Sequence, residues 1–145
     1  IKHVYKSETI ACAKNNVFIK ENHTHRFMPF LINNFPNSRY IWMTRDPRDM
    51  ALSWKKNNII KTGIIDAAKV WQNDQSKMLI QYSYLKAQKQ ILLLTYEDLV
   101  TNPEKECKRI CNHLGLVFHA FDPVLVTFSS IRHHFGYFFL QADSF

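Results

Sequence analysis

This chain is short of glycine, short of cysteine and without any long apolar run. Its 145 residues hold three glycines and three cysteines. So few glycines leave little room for flexible linkers, and neither an internal repeat nor a low-complexity tract interrupts the chain. No stretch approaches the roughly 20 apolar residues of a membrane span, and no secretory leader is legible. The cysteines form no C-x-x-C step and no tight His/Cys cluster of zinc spacing, so no metal site is expected. Cys107 and Cys111 are four apart on a predicted helix and share its face, while Cys12 is remote. They read as small buried hydrophobes in a reducing compartment, and a cytoplasmic location is expected.

What is present suits one domain over residues 1–145, because 46% hydrophobic residues can fill a single core. Nineteen basic against twelve acidic residues give a net charge of +7, which favours an anionic partner. The basic residues are spread out, with no arginine-rich tail or stripe, which argues against nucleic acid and against a membrane surface. Short apolar runs predict strands at Val17–Lys20, Tyr40–Thr44 and Ile91–Tyr96. Helical spacing predicts helices over His25–Asn34 with Thr24 as cap, over Ile64–Lys89, and from Thr101-x-x-Glu104 to Leu114, closed by Gly115. Along the long helix, Ile64, Ala68, Trp71, Met78, Tyr82 and Leu85 recur at the helical period. Strands alternating with helices predict an α/β fold with a parallel sheet. The aromatic-rich tail, Val117–Phe145, reads as strand, loop or both.

The most informative stretch is SRYIWMTRDPRDMALSWKK, residues 38–56. Tyr40–Thr44 is apolar enough for a strand buried on both faces. Arg45 ends it, Asp46 can cap a helix starting at Pro47, and Asp49 can complete a capping box. Ser53 falls in the second turn, able to return toward the strand tip. A guanidinium at a strand end with a hydroxyl on the following helix suits a phosphate monoester, and open α/β sheets bind ligands at that edge. The alternative is that Arg45 pairs with Asp46 or Asp49 and Ser53 only fills the helix.

With its R-x7-S spacing inside RDPRDMALSW, this segment resembles the 3′-phosphate-binding segment of the sulfotransferases that use 3′-phosphoadenosine 5′-phosphosulfate (PAPS), in a form similar to the bacterial branch. YEDLVTNPEKECKRICNHLGL, residues 96–116, resembles a second segment of that family. Lys20, sixteen residues before Pro36 of the F-P turn, resembles its catalytic lysine. The resemblance implies a three-layer parallel sheet flanked by helices, of the P-loop nucleoside triphosphate hydrolase-like architecture. It implies that Arg45 and Ser53 hold the 3′-phosphate, Tyr96 lies near the adenine, and Lys20 stabilises charge on the leaving phosphate. Thr127-Phe128 resembles a P-T-F segment near the adenine, with core packing as the alternative for Phe128.

The chain departs from the family pattern in two places. Where small-molecule enzymes carry a catalytic histidine, it has Asn22, so His23 or His25 becomes the candidate base. Asn22-His23-Thr24 is also a glycosylation sequon, awkwardly placed for a luminal enzyme. The family's glycine-bearing loop for the 5′-phosphosulfate occurs nowhere in these residues, and none of the three glycines precedes Gly63. The expectation is therefore an N-terminally truncated PAPS-dependent sulfotransferase domain acting on a hydroxyl or amine of a small molecule or glycan, inactive as it stands. The alternative is an inactive nucleotide-binding or interaction domain of the same fold.

Overall fold

The computed structural model describes Ser7 and residues 16–21, 23–56, 63–120 and 137–142. Four strands form one sheet: β1 (Asn16–Glu21), β2 (Arg39–Thr44), β3 (Ile91–Thr95) and β4 (Tyr137–Ala142). The helices are α1 (Met28–Asn34), α2 (Pro47–Lys56), α3 (Ile64–Ala87), α4 (Tyr96–Thr101) and α5 (Pro103–Leu114), with a 3-10 turn at Thr24–Arg26.

The sheet order is β1-β4-β2-β3. β2 and β3 are parallel, whereas β4 runs antiparallel to both β1 and β2. The sheet is thus mixed, which corrects the expectation of an all-parallel one. The cause lies in the tail, whose Tyr137-Phe138-Phe139-Leu140 run is apolar and aromatic enough to serve as an interior strand. Because β1 and β2 each oppose β4, they point the same way, and β1, β2 and β3 all end on one edge.

β2 explains the core. Tyr40, Ile41, Trp42 and Met43 are all buried, as a strand covered on both faces requires. Tyr40 and Trp42 pack with Met28, Phe35, Met78, Leu85 and Ile91. Ile41 and Met43 take the opposite face with Leu94, Leu99 and Leu114. The Trp42 indole N–H donates to Gln75 Oε1 at 3.1 Å, and its ring meets Tyr82 edge-on at 5.3 Å, pinning β2 to α3. On the other side, Arg39 Nη1 donates to the His113 carbonyl at 2.8 Å and His113 Nε2–H donates to the Tyr40 carbonyl at 3.1 Å, which ties the end of α5 to β2.

Several boundaries differ from expectation for local reasons. The helix foreseen over His25–Asn34 begins at Met28, because Pro29 suits only a first turn and a 3-10 turn precedes it. Thr24 donates to the Glu21 carbonyl at 2.9 Å and does not cap α1. α3 buries Ala67, Met78 and Leu85, while Ile64 and Ala68 face outward. It stops before Lys89, whose φ of +56° is left-handed. α5 starts after Asn102, because Tyr96–Thr101 forms a short helix of its own. Gly115, at φ +69°, ends α5, and the Leu116 amide donates back to the Cys111 carbonyl at 2.8 Å. Cys107 packs against the second core cluster, and burial pushes its thiol pKa up, as befits a small hydrophobe. Among the described residues no helix is long and apolar enough to cross a membrane.

Candidate functional site

The parallel pairing of β2 and β3 sets Thr44 level with Thr95, so Arg45 and Tyr96 leave adjacent strand ends side by side. The Arg45 guanidinium carbon lies 4.5 Å from the centroid of the Tyr96 ring. Stacking a planar cation on an aromatic face holds the fork in one orientation at little cost, since guanidinium is weakly hydrated. Arg45 is 19% exposed, and its Nη2 stands 3.8 Å from Asp49 Oδ2. Ser53 lies one turn beyond Asp49 on α2 and therefore shares that helix face, half-buried. Met50, at 5% exposure, points α2's apolar side into the protein.

The turn that carries Arg45 is braced from two directions. Asp46 Oδ1 accepts from the Arg48 amide at 2.8 Å, capping α2, and its carboxylate also takes the Arg48 guanidinium. These bonds to Arg48 hold the Asp46 carboxyl down at about 2. The Asp46 amide donates to Glu97 Oε1 at 2.9 Å. Glu97 thus fills the reciprocal place that the spacing assigns to Asp49, and it links the β2–α2 turn to the β3–α4 turn. Thr95 caps α4, its hydroxyl oxygen accepting from the Asp98 amide at 3.1 Å.

Lys20 stands apart from this cluster. It pairs with Phe138 of β4, which also pairs with Ile41 of β2. Lys20 is therefore level with Ile41, four residues short of Arg45, or about 13 Å along the strand direction and two strand spacings, about 10 Å, across. It is exposed near the end of β1. His23 follows in the turn after β1, exposed, with its Nδ1 3.8 Å from Asp74 Oδ2. His25 is buried beside it, its Nε2 3.7 Å from Asp74 Oδ1. Burial lowers the pKa of His25, against the pull of Asp74 in the other direction. Asp74 was missed from sequence because it lies on α3, remote in the chain. The H-x-H step at His23-Thr24-His25 was the available signal. Thr127 and Phe128 lie outside the described residues.

A cleft of about 810 Å³ opens at the opposite, amino edge of the sheet, lined by residues that include Arg39, Tyr84 and Gln90. Among its described lining residues the one arginine, Arg39, donates to the His113 carbonyl. The cleft lies at the other end of β2 from Arg45, and its size alone gives it no claim as the site.

The sulfotransferase family profile matches residues 2–120, which hold Lys20, Arg45, Ser53 and Tyr96. The chain belongs to the sulfotransferase family. Two curated relatives carry the provisional name protein-tyrosine sulfotransferase. One, from Caenorhabditis briggsae, is 30% identical over 104 residues, covering 68% of this chain and 36% of the relative. The other, from Caenorhabditis elegans, is 28% identical over 104 residues, covering 68% of this chain and 39% of the relative. This sulfotransferase chain therefore spans little more than a third of the length of these relatives. No solved structure gives a significant match.

Proposed function

We propose that this sulfotransferase domain grips the 3′-phosphate of PAPS with Arg45 and Ser53 and serves transfer of the sulfuryl group to a hydroxyl or amine. The observation that carries this reading is Arg45, partly buried at the carboxyl end of β2 and stacked on Tyr96 at the end of β3. A cation so placed, at the head of α2, fits a phosphate monoester. In this reading the sheet and its helices are the nucleotide-binding part of a P-loop-like three-layer architecture. Tyr96 has one ring face covered by the guanidinium, so it meets an adenine with its other face or its hydroxyl edge.

PAPS supplies an activated sulfuryl group on a phosphate leaving group, and transfer follows the loose, in-line pattern of phosphoryl transfer. The residues of this chain position and neutralise. Lys20 meets charge growing on the leaving phosphate. His23 accepts the acceptor's proton: the Asp74 carboxylate on its Nδ1 side favours the tautomer that leaves Nε2 open. The names of the relatives make the phenol of a protein tyrosine the first acceptor to try. The rival reading is an inactive nucleotide-binding or interaction domain of the same fold, which would bind without transferring a sulfuryl group.

Calorimetric titration with adenosine 3′,5′-bisphosphate, beside adenosine 5′-phosphate, tests the proposal. The bisphosphate should bind clearly tighter, and equal affinity for the two would refute the 3′-phosphate assignment.

A further inference from the structure

The turn after β1 carries two imidazoles one residue apart, and the fold brings a carboxylate up against both. His23 and His25 are held on one 3-10 turn, closed by the Arg26 amide on the His23 carbonyl and the Phe27 amide on the Thr24 carbonyl, each at 2.9 Å. The turn is tied back to β1, where the Thr24 hydroxyl donates to the Glu21 carbonyl and the His23 amide to Glu21 Oε1. Opposite, Asp74 projects from α3 with each carboxylate oxygen facing a different ring. The separations are 3.8 Å to His23 Nδ1 and 3.7 Å to His25 Nε2. One donor atom from each of the three residues can be chosen so that all lie within 4.8 Å of one another.

Those distances are informative. They are too long for imidazole–carboxylate hydrogen bonds, which close to about 2.7–3.0 Å. Two ligands of one tetrahedral zinc, with bonds of about 2.0–2.2 Å, stand about 3.3–3.6 Å apart. The two imidazole–carboxylate separations, one to each Asp74 oxygen, lie within a few tenths of an ångström of that spacing. The widest separation in the trio is bounded at 4.8 Å, so rotation of the exposed His23 side chain must supply the rest of the closure.

We propose that His23, His25 and Asp74 form a binding site for one zinc-class divalent cation. Two imidazoles and one carboxylate select zinc or cobalt over magnesium or calcium, which require oxygen-rich shells. The side chain of His25 is 1% exposed, so its ring enters the site already desolvated and favoured in the neutral, ligating form. The side chain of His23 is 48% exposed, so the fourth position opens to water or a ligand. Lys77 and Arg26 add positive charge nearby, which opposes the cation and sets the affinity below that of an all-cysteine structural site. The bound ion would clasp the exit of β1 to α3. It would also occupy His23 Nδ1 and put the proton on Nε2, so the loaded chain could not use His23 as a base. The proposal does not rest on sulfuryl transfer, and binding alone tests it.

The test is a zinc titration of the 145-residue chain against a chromophoric chelator, with the cobalt(II) spectrum recorded in parallel. One equivalent should bind with micromolar or tighter affinity, unaffected by millimolar magnesium. Asp74→Asn, near-isosteric at a half-buried position, and His23→Ala, at an exposed one, should each weaken binding roughly tenfold or more with an unchanged circular dichroism spectrum. Cys107→Ser/Cys111→Ser should bind as the wild type. On the wild-type chain, zinc should also shield His23 from diethyl pyrocarbonate, a readout that needs no variant. Absent stoichiometric binding, wild-type affinity in both Asp74→Asn and His23→Ala, an unshielded His23, or a thiolate charge-transfer band in the cobalt spectrum would each overturn the site.

Discussion

Removing the Arg45 side chain is the sharpest perturbation available, because the magnitude can be worked from its surroundings. A charge-assisted contact from a guanidinium to a phosphate dianion contributes about 1.5–3 kcal/mol, and a bidentate one falls at the upper end. Against this stands the existing pair with Asp49, at 3.8 Å with Asp49 56% exposed. Such a solvent-screened pair is worth under about 1 kcal/mol, and phosphate must outcompete it. Arg45→Ala should therefore weaken adenosine 3′,5′-bisphosphate by about 2–3 kcal/mol, roughly 30- to 150-fold in Kd. Arg45→Lys keeps the charge but loses both the fork and the stacking on Tyr96, so it should recover only part of this. Asp49→Asn removes that competing carboxylate charge and should bind the bisphosphate at least as tightly as the wild type. Calorimetry at fixed ionic strength reads all three, with adenosine 5′-phosphate as the control that should not move. Wild-type affinity in a folded Arg45→Ala protein would refute the phosphate cradle, whatever the family.

Ser53→Ala should act in the same direction by about 1 kcal/mol, since a neutral donor is lost; an effect as large as that of Arg45→Ala would mean the helix had moved. Glu97→Ala should cost about 1 kcal/mol in urea unfolding, because it strips the Asp46 amide of its acceptor at the mouth of the site, and an unchanged midpoint would make that clasp incidental. His113 has its pKa lowered from 6.5 by burial, so its contribution to stability is complete above 6.5 and is lost as the pH falls below it. Thermal unfolding should show that loss, and His113→Gln should flatten it; an identical pH profile in the variant would contradict the assignment.

The local structure of Ser38–Lys56 was legible in the sequence alone. A short uninterrupted apolar run suits a doubly covered strand and Asp46-Pro47 suits a helix start, which placed Arg45 at the junction where the structure has it. Glycine at 115 likewise announced the end of α5. Those readings rest on contacts between near neighbours, which sequence spacing encodes directly. Partners across the fold are another matter. That Tyr96 underlies Arg45 follows from the β2–β3 register, and that Glu97 serves the Asp46 amide follows from two turns meeting. The antiparallel course of β4 was equally hidden, because an apolar aromatic segment suits either direction and only the space between β1 and β2 chooses. His23 and His25 could be seen as a pair in the chain, but Asp74 joins them only because α3 crosses that turn. Spacing along the chain determined which residues could carry charge at a strand end and which imidazoles follow β1. Packing decided which of them meet, because distance in space depends on register and crossing geometry that no local pattern specifies.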